Sequence, residues 1–321
     1  MDEFGLIRTY FSADTDAEGV VLGVGDDAAL LQPTPGHLLV TCVDTLVAGV
    51  HFPEDAPPEA IGHKALAVNL SDLAAMGARP RWFQLALTLP EVNEAWLADF
   101  SHGLRRLAAE HRVALVGGDT TRGPLTLTVQ AMGEVAPDKA LRRTGARAGD
   151  LLYATGTLGD AALGLDLWQR GVRGHEPAAP ADFLIGRLHR PTARVSAGLA
   201  AAGLARAAID ISDGLLADLG HLLETGEGLG AELQAECLPL SAAYRVHCND
   251  PLPGAAALTG GDDYELLFVV AQEQEAAFLN ALQDDPAGCT RIGRITPDSE
   301  ITLRRDGQTE VLTRQGYMHF K

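Results

Sequence analysis

Segments with the pattern of β-strands and segments with the pattern of α-helices alternate along both halves of the chain. Residues 37–47 (HLLVTCVDTLV) are rich in leucine and β-branched residues, as in a buried strand, and residues 57–78 place apolar side chains at helical spacing. The same alternation returns after residue 150, where an apolar run precedes the helical pattern of residues 160–171. Such alternation predicts mixed α/β or α+β domains in which helices cover sheets.

The remaining pattern extends this prediction along the chain. It predicts further strands at residues 79–90, 125–135, 151–159, 207–214 and 263–270, and further helices at residues 93–112, 192–206, 215–226 and 273–283. Residues 113–123 are predicted as a short strand that runs into a glycine-rich acidic turn, and the segment that ends at Pro191 is rich in proline. Since 321 residues exceed the usual size of one core, the polar stretch 136–150 predicts a boundary between domains at 1–137 and 138–321.

The formal net charge of −18 argues against nucleic acid and anionic membranes as partners, because both require a basic surface. No apolar run reaches the roughly 18 residues that a membrane span requires. The four cysteines lack metal-binding spacing, and the N-terminus has no secretion signal. These features predict a cytoplasmic protein with free thiols.

Several aspartates lie within or beside apolar segments instead of on charged faces. These are Asp27, Asp44, Asp72, Asp119, Asp210 and Asp213. An ionised carboxylate in such a place costs several kcal/mol unless it is paired or bound to metal. These segments contain almost no lysine or arginine that could pair with the aspartates, so metal ligation is the preferred interpretation. Carboxylate oxygens favour Mg²⁺, and we expect folding to gather the six aspartates in one pocket. Capping or turn formation is the alternative for Asp119 and Asp213.

A cluster of Mg²⁺ ions in a protein commonly binds the phosphates of a nucleotide, yet the usual phosphate-binding motifs are missing from the sequence. It contains no G-x-x-x-x-G-K-[ST] P-loop and no protein-kinase motif set. With lysine almost absent, the charge of a triphosphate would have to be neutralised by metals and by arginines in loops, such as Arg122 and Arg143.

Seven motifs occur together, in the order found in a known family. They are GVGDDAAL, DTLVAGVHF, KALAVNLSDLAAMGA, GGDTTRG, AIDISDGL, GGDDYELLF and GYMHF. From about residue 3 to the C-terminus, the chain resembles bacterial thiamine-monophosphate kinases. Parts of the pattern are shared with the wider aminoimidazole-ribonucleotide-synthetase-like superfamily, whose members use ATP.

The resemblance implies a fold, an activity and an assembly. The expected fold is an N-terminal mixed α/β domain whose sheet pairs across a homodimer, followed by a C-terminal α+β domain with a sheet covered by helices. The expected activity is ATP- and Mg²⁺-dependent phosphorylation of thiamine monophosphate to thiamine diphosphate by direct in-line transfer. The N-terminal domain would bind ATP and Mg²⁺ and form the dimer, and the C-terminal domain would complete the ATP and substrate site.

The resemblance also assigns roles to individual residues. It implies Mg²⁺ ligation by Asp27, Asp44, Asp72, Asp119, Asp210 and Asp213, ATP contacts by Gly118, Asp119, Arg143 and Ser212, and thiamine-phosphate contacts by His51, Asp262 and Tyr317. Where the family often has hydroxyl residues near metal, this chain has Cys42 and Val43, so only their backbone carbonyls are suitable ligands. No residue beyond the metal ligands is expected to act in catalysis.

Two alternative functions remain at this level. One is another ATP-dependent synthetase of the same superfamily that acts on a different phosphorylated or amidated substrate. The other is a non-catalytic acidic protein that binds divalent cations. The apolar setting of the aspartates disfavours the second alternative, because acids that only promote solvation would lie on exposed faces.

Overall fold

The chain divides into two compact units, one made of residues 1–73 and 78–138 and the other of residues 74–77 and 139–321. The computed structural model describes residues 3–12, 17–173, 179–224, 226, 228–248, 254–317 and 319. Each unit has a sheet and a buried apolar core of its own. Among the described helices, none has both the length and the hydropathy that crossing a membrane requires.

The first unit consists of short N-terminal elements followed by long strands and helices. Its elements are α1 (Glu3–Leu6), β1 (Val20–Leu22), β2 (Leu30–Leu31), β3 (Leu38–Val47), α2 (Pro58–Ala75), β4 (Arg79–Leu89), α3 (Glu94–His111), β5 (Ala114–Arg122) and β6 (Thr126–Val135). A π-helical turn at Ile7–Phe11 continues α1.

One face of the main sheet of the first unit is only partly covered, because Trp82 and Met132 on that face are buried against Val20 and Leu31 while the region around Val43 is exposed. Its described strands lie in the order β3-β6-β4-β5, with β4 and β5 parallel and the other neighbours antiparallel. Along β3, Asp44 is half-buried and Leu46 is buried, whereas Val43 and Thr45 are exposed. This alternation leaves the part of the sheet around Val43 open to solvent in this chain.

Helices α2 and α3 approach each other closely at two glycines. A Cβ atom on Gly62 would collide with the carbonyl oxygen of Phe100, and one on Gly103 would collide with that of Glu59. Most of α2 is apolar and buried, so that Leu66 is fully shielded, as expected for a helix inside a core.

The second unit contains the remaining elements. They are β7 (Leu151–Thr155), α4 (Asp160–Gln169), α5 (Pro180–His189), α6 (Val195–Ala201), β8 (Ala207–Ile211), α7 (Leu215–Glu224), β9 (Gly230–Gln234), α8 (Ala242–Cys248), α9 (Ala255–Thr259), β10 (Glu265–Val270), α10 (Glu275–Leu282), β11 (Cys289–Thr296), β12 (Ile301–Arg305) and β13 (Gln308–Leu312). Short 3₁₀ turns occur at Ala235–Cys237 and Gln272–Gln274.

The sheet of the second unit is mostly antiparallel, with the described strands in the order β13-β12-β9-β11-β7-β10-β8. Only the β9–β12 pair among them is parallel. Every residue of β7, β8 and β10 is buried, so this part of the sheet is shielded on both faces. Asp210 therefore lies near the end of a fully buried strand.

The structure differs from the sequence pattern in two segments. The GGDTTRG segment is not a turn, because β5 continues through Arg122 and stays paired with β4. The proline-rich segment before Pro191 contains α5, a helix that the pattern did not predict. Pro180 stands at the first position of this helix, where a missing N–H group costs nothing.

Candidate active site

The first unit contains an open cavity of about 730 Å³, a volume in the range of small-molecule sites. Four residues singled out from the sequence are part of its lining, namely Asp27, Val43, Gly118 and Asp119. Gln84 and Gln130, which face each other on β4 and β6, are part of it as well. The sheet thus supplies Asp119, Gln84 and Gln130 to this cavity, and the segment between β1 and β2 supplies Asp27.

Gly118 is required by the close approach of β4 to β5. It has a φ of 152°, and a Cβ atom at this position would collide with the carbonyl oxygen of Leu85. The neighbouring Asp119 is exposed and lines the cavity. The glycine therefore sets the strand spacing that places this carboxylate at the cavity wall.

The adjacent acids Asp26 and Asp27 are joined by a local hydrogen bond. The Asp26 Oδ1 atom accepts the backbone N–H of Asp27 at 2.8 Å. Both residues are exposed and line the cavity.

Asp44 and Asp72 lie around the thiol of Cys42 instead. The Cys42 Sγ atom donates to the backbone oxygen of Asn69, on α2, at 3.4 Å. Burial, followed by the negative charges of Asp72 and Asp44, raises the pKa of this thiol well above its ordinary value. The neutral thiol thus lies between the two carboxylates.

The aspartates of the first unit form two groups instead of the single pocket expected from the sequence. Asp44 shares a rung of the sheet with Leu85 and Gly118, and Asp119 lies on the next rung. Side chains on successive rungs point to opposite faces, so Asp44 and Asp119 are separated by the sheet. In the described parts of both units, no three His, Cys, Asp or Glu residues are placed to hold a metal ion by themselves.

His51 is held in one tautomer by its own loop. Its Nδ1 atom accepts the backbone N–H of Val47 at 2.9 Å, so the ring proton must be on Nε2. The Nζ atom of Lys64, a residue that is only 2% exposed, donates to the backbone oxygen of His51 at 3.2 Å. The ring is therefore anchored and has an N–H donor at Nε2.

In the second unit, the predicted site residues meet around the loop between β8 and α7. Asp210 is 4% exposed at the end of β8. The next turn, Ser212–Gly214, donates its three backbone N–H groups to the Oδ2 atom of Asp218 at 3.0, 3.0 and 3.1 Å. Burial, followed by the negative charges of Asp210 and Asp213, raises the pKa of Asp218 to about 7.

Asp213 is surrounded by groups of both signs. Burial raises the pKa of its carboxyl and the charge of Asp262 adds to this rise, whereas His221, His319 and Arg143 oppose it. Three residues predicted from the sequence to contact ATP, substrate or metal are therefore electrostatic neighbours.

The carbonyl groups of the same loop accept hydrogen bonds from two of the three predicted substrate contacts. The Ser212 oxygen accepts the N–H of Asp262 at 2.8 Å, and the Asp213 oxygen accepts the N–H of Tyr317 at 3.1 Å. Asp262 has a φ of 71°, an uncommon backbone conformation for a residue with a side chain.

The sequence analysis did not single out two buried acids, Asp218 and Asp263. Asp263 is 1% exposed and accepts the N–H of Gly159 at 2.6 Å. Each of them has a signal in the sequence, because each is an acid within an apolar context, Asp218 in LLADLGHLL and Asp263 in GDDYELLF.

The donor set is chemically suited to Mg²⁺. Its members are hard carboxylate oxygens, with no thiolate or imidazole pair at metal spacing. In the second unit, the raised pKa values of Asp213 and Asp218 reflect burial together with repulsion between neighbouring acids, and a divalent cation would relieve that repulsion. Within the described part of the chain, no three of these side chains form a complete metal site by themselves.

Comparisons with known proteins agree along the whole chain. Residues 25–135 match the family model "AIR synthase related protein, N-terminal domain", and residues 147–306 match the corresponding C-terminal domain. The thiamine-monophosphate kinase of Escherichia coli (strain K12) is 46% identical over 320 residues, covering 99% of this chain and 98% of that relative.

Two solved structures are similar over nearly their full length. The thiamine-monophosphate kinase from Stenotrophomonas maltophilia K279a has a TM-score of 0.87 and 47% identity, covering 96% of this chain and 98% of that one. AaThiL complexed with AMPPCP and TMP has a TM-score of 0.79 and 32% identity, covering 99% of this chain and 96% of that one. The chain therefore belongs to the thiamine-monophosphate kinases, a family of enzymes among the AIR synthase related proteins.

Proposed function

We propose that this chain transfers the γ-phosphoryl group of ATP directly to thiamine monophosphate, which yields thiamine diphosphate and ADP. Support comes from the full-length similarity to thiamine-monophosphate kinases and from the relative that is complexed with AMPPCP and TMP. Within this chain, the strongest support for the proposal is that the loop Ser212–Gly214 is hydrogen-bonded to both Asp262 and Tyr317. Groups for the nucleotide and for the acceptor are thus joined by one short segment.

The residue roles follow the positions described above. Ser212 and Arg143 of the second unit, and Gly118 and Asp119 of the first, would contact ATP. Asp262, Tyr317 and the Nε2 proton of His51 would contact the thiamine phosphate.

The chemistry requires little proton transfer. Thiamine monophosphate is a phosphate monoester with a second pKa of about 6, so it is largely a dianion near neutral pH. One of its oxygens forms the new bond to the γ-phosphorus while the bond to the bridging oxygen of ADP breaks on the opposite side. No general base is needed, and the main barrier is repulsion between two anions.

The acids of the site would bind Mg²⁺. Ligands are proposed at Asp27 and Asp119 in the cavity, at Asp44 and Asp72 on the other face of the sheet, and at Asp210 and Asp213 of the second unit, with a backbone role for Cys42 and Val43. When bound, Mg²⁺ would neutralise charge on the phosphates of both substrates. The protein's own cationic and N–H groups, Arg143 and His51, would add to this neutralisation and orient the phosphates.

A homodimer through the open face of the first unit's sheet is part of the proposal. Leu39 and Val43 on β3 are 50% and 60% exposed, respectively, which leaves apolar surface on this strand. A second copy of the sheet would cover this surface. Sedimentation of the purified chain at micromolar concentration tests this point, and a monomer would contradict it.

A cytoplasmic location is likewise proposed. All four cysteines, each of which lies in a described part of the chain, are free thiols. Free thiols are the usual state in a reducing compartment.

The test uses purified chain, ATP, Mg²⁺ and a panel of phosphorylated acceptors that includes thiamine monophosphate. Conversion of thiamine monophosphate to the diphosphate, detected by chromatography, is the expected result. ADP formation without thiamine diphosphate would favour another synthetase of the superfamily. Absence of any nucleotide-dependent thermal shift in the presence of Mg²⁺ would favour the non-catalytic cation-binding alternative.

A further inference from the structure

The backbone of Ser212, Asp213 and Gly214 is hydrogen-bonded on both of its sides. All three N–H groups point to one oxygen of Asp218, at 3.0–3.1 Å. Two of the carbonyl oxygens accept the N–H groups of Asp262 and Tyr317. The loop therefore connects a buried carboxylate on α7 with two of the three predicted substrate contacts, Asp262 and Tyr317.

Asp218 occupies the position that an anion takes at many helix N-termini. Consecutive N–H groups before a helix form a ready-made site for phosphate. Here the chain's own carboxylate, 3% exposed, fills that site. The loop can therefore contact a nucleotide through the side chains of Ser212 and Asp213, but not through these N–H groups.

Two glycines fix the same loop by close packing. Gly214 has a φ of 116°, and a Cβ atom on it would lie 2.8 Å from the carbonyl group of Thr259. A Cβ atom on Gly316 would lie 2.7 Å from the Asp213 oxygen. The segment that carries Tyr317 thus packs directly on the loop.

We propose that Asp218 is a positioning residue that holds the Ser212–Gly214 loop in register with both substrates. The inference rests on the proposed kinase function. Asp218 acts through the backbone that it fixes, and the position of its oxygen matters more than its charge. Displacement of that oxygen moves Ser212 and Asp213 on the nucleotide side together with Asp262 and Tyr317 on the acceptor side.

Two substitutions distinguish the effect of the position of the Asp218 oxygen from the effect of its charge. Asp218→Asn keeps an oxygen at the same distance from the backbone and removes the charge, whereas Asp218→Glu keeps the charge and displaces the oxygen by one methylene. We expect the Asn variant to retain kcat and both KM values close to those of the parent. We expect the Glu variant to lose on the order of 10²-fold in kcat/KM for ATP and for thiamine monophosphate alike.

A readout without turnover accompanies these kinetics. Amide hydrogen exchange of the peptide that contains residues 212–214 should be slow in the parent and in Asp218→Asn, and faster in Asp218→Glu. Asp150→Ala is the matched control, because Asp150 is also buried and accepts a backbone N–H, from Arg147 at 2.8 Å. This control should lower the free energy of unfolding without changing either KM or exchange at residues 212–214.

The outcomes are distinct. An Asn variant as impaired as the Glu variant, or a Glu variant with parental KM values and slow loop exchange, would overturn the inference.

If the parent itself makes no thiamine diphosphate, the proposed function fails, while the exchange comparison still decides whether Asp218 holds the loop. Should the Glu variant fail to fold, Asp218→Ala takes its place with the same expectation.

Discussion

The buried carboxylate of Asp263 accepts the N–H of Gly159, the residue that precedes α4, at 2.6 Å. This hydrogen bond connects the segment after Gly261 to the start of α4. Next to it in the chain, Asp262 is held in a left-handed backbone conformation. The two adjacent acids therefore have different functions, one in the core and one at the proposed substrate site.

Asp263 should make the stability of the second unit depend on pH. Burial raises the pKa of Asp263 well above its ordinary value, while the Gly159 N–H and Arg187 oppose this rise. Above about pH 4 the unfolded chain releases this proton and the folded chain keeps it. The free energy of unfolding should therefore fall with rising pH, by up to about 1.4 kcal/mol per pH unit, until the folded group ionises.

Urea denaturation from pH 4 to 8 tests this expectation. Asp263→Asn should show a weaker decline than the parent, since the amide does not titrate. Substitution of the exposed Asp284 by Asn serves as the control and should leave the parental decline unchanged. Parallel curves for the parent and Asp263→Asn would contradict the assignment.

Gly118→Ala should separate β4 from β5. The added methyl group would meet the Leu85 backbone oxygen, which has no flexible end that can give way. We expect a loss of about 1–3 kcal/mol in the free energy of unfolding. Gly117→Ala is the matched control, because its nearest neighbour is only the amide end of Gln84 at 3.4 Å. Equal effects of the two substitutions would disprove the close-approach explanation.

Asp72→Asn should leave the fold intact and lower turnover. Asp72 is partly exposed and its charge raises the pKa of Cys42. The asparagine side chain has nearly the same size as that of aspartate, so it should fit at position 72. As a proposed metal ligand, the carboxylate should contribute on the order of 10²-fold or more to kcat. Steady-state kinetics together with urea denaturation check this, with the exposed Asp99→Asn as control. A folded Asp72→Asn variant with near-parental turnover would remove Asp72 from the site.

Cys42→Ser should lower the Mg²⁺ concentration needed for half-maximal activity. The thiol lies beside Asn69, Asp44 and Asp72, where a hydroxyl is a harder ligand for Mg²⁺. Activity measured across a Mg²⁺ titration gives the comparison. Cys237→Ser, in the 3₁₀ turn of the second unit, should leave the titration unchanged. An unchanged Mg²⁺ requirement in Cys42→Ser would show that this position has no part in ion binding.

Apolar periodicity was sufficient to predict the long strands and helices, because each has one well-defined burial pattern. β3, α2, β4 and α3 lie within a few residues of their predicted bounds. The continuation of β5 through Asp119 was not predictable, since hydrogen bonds from β4 override a glycine-rich sequence that favours turns.

The candidate site was only partly predictable, because the sequence identifies unusual acids without giving the direction of their side chains. Asp44 and Asp119 were expected in one pocket, yet successive rungs place them on opposite faces. Around Asp213 the expected residues do come together. Asp218 was missed because its function depends on three N–H groups that only the folded loop aligns.

The most direct test of the central claim follows the γ-phosphoryl group itself. Purified chain is incubated with ATP labelled at the γ-phosphorus, thiamine monophosphate and Mg²⁺, and the products are separated. We expect label in thiamine diphosphate, and none when EDTA removes the cation. Label found only in inorganic phosphate, or transfer that is unaffected by EDTA, would contradict it.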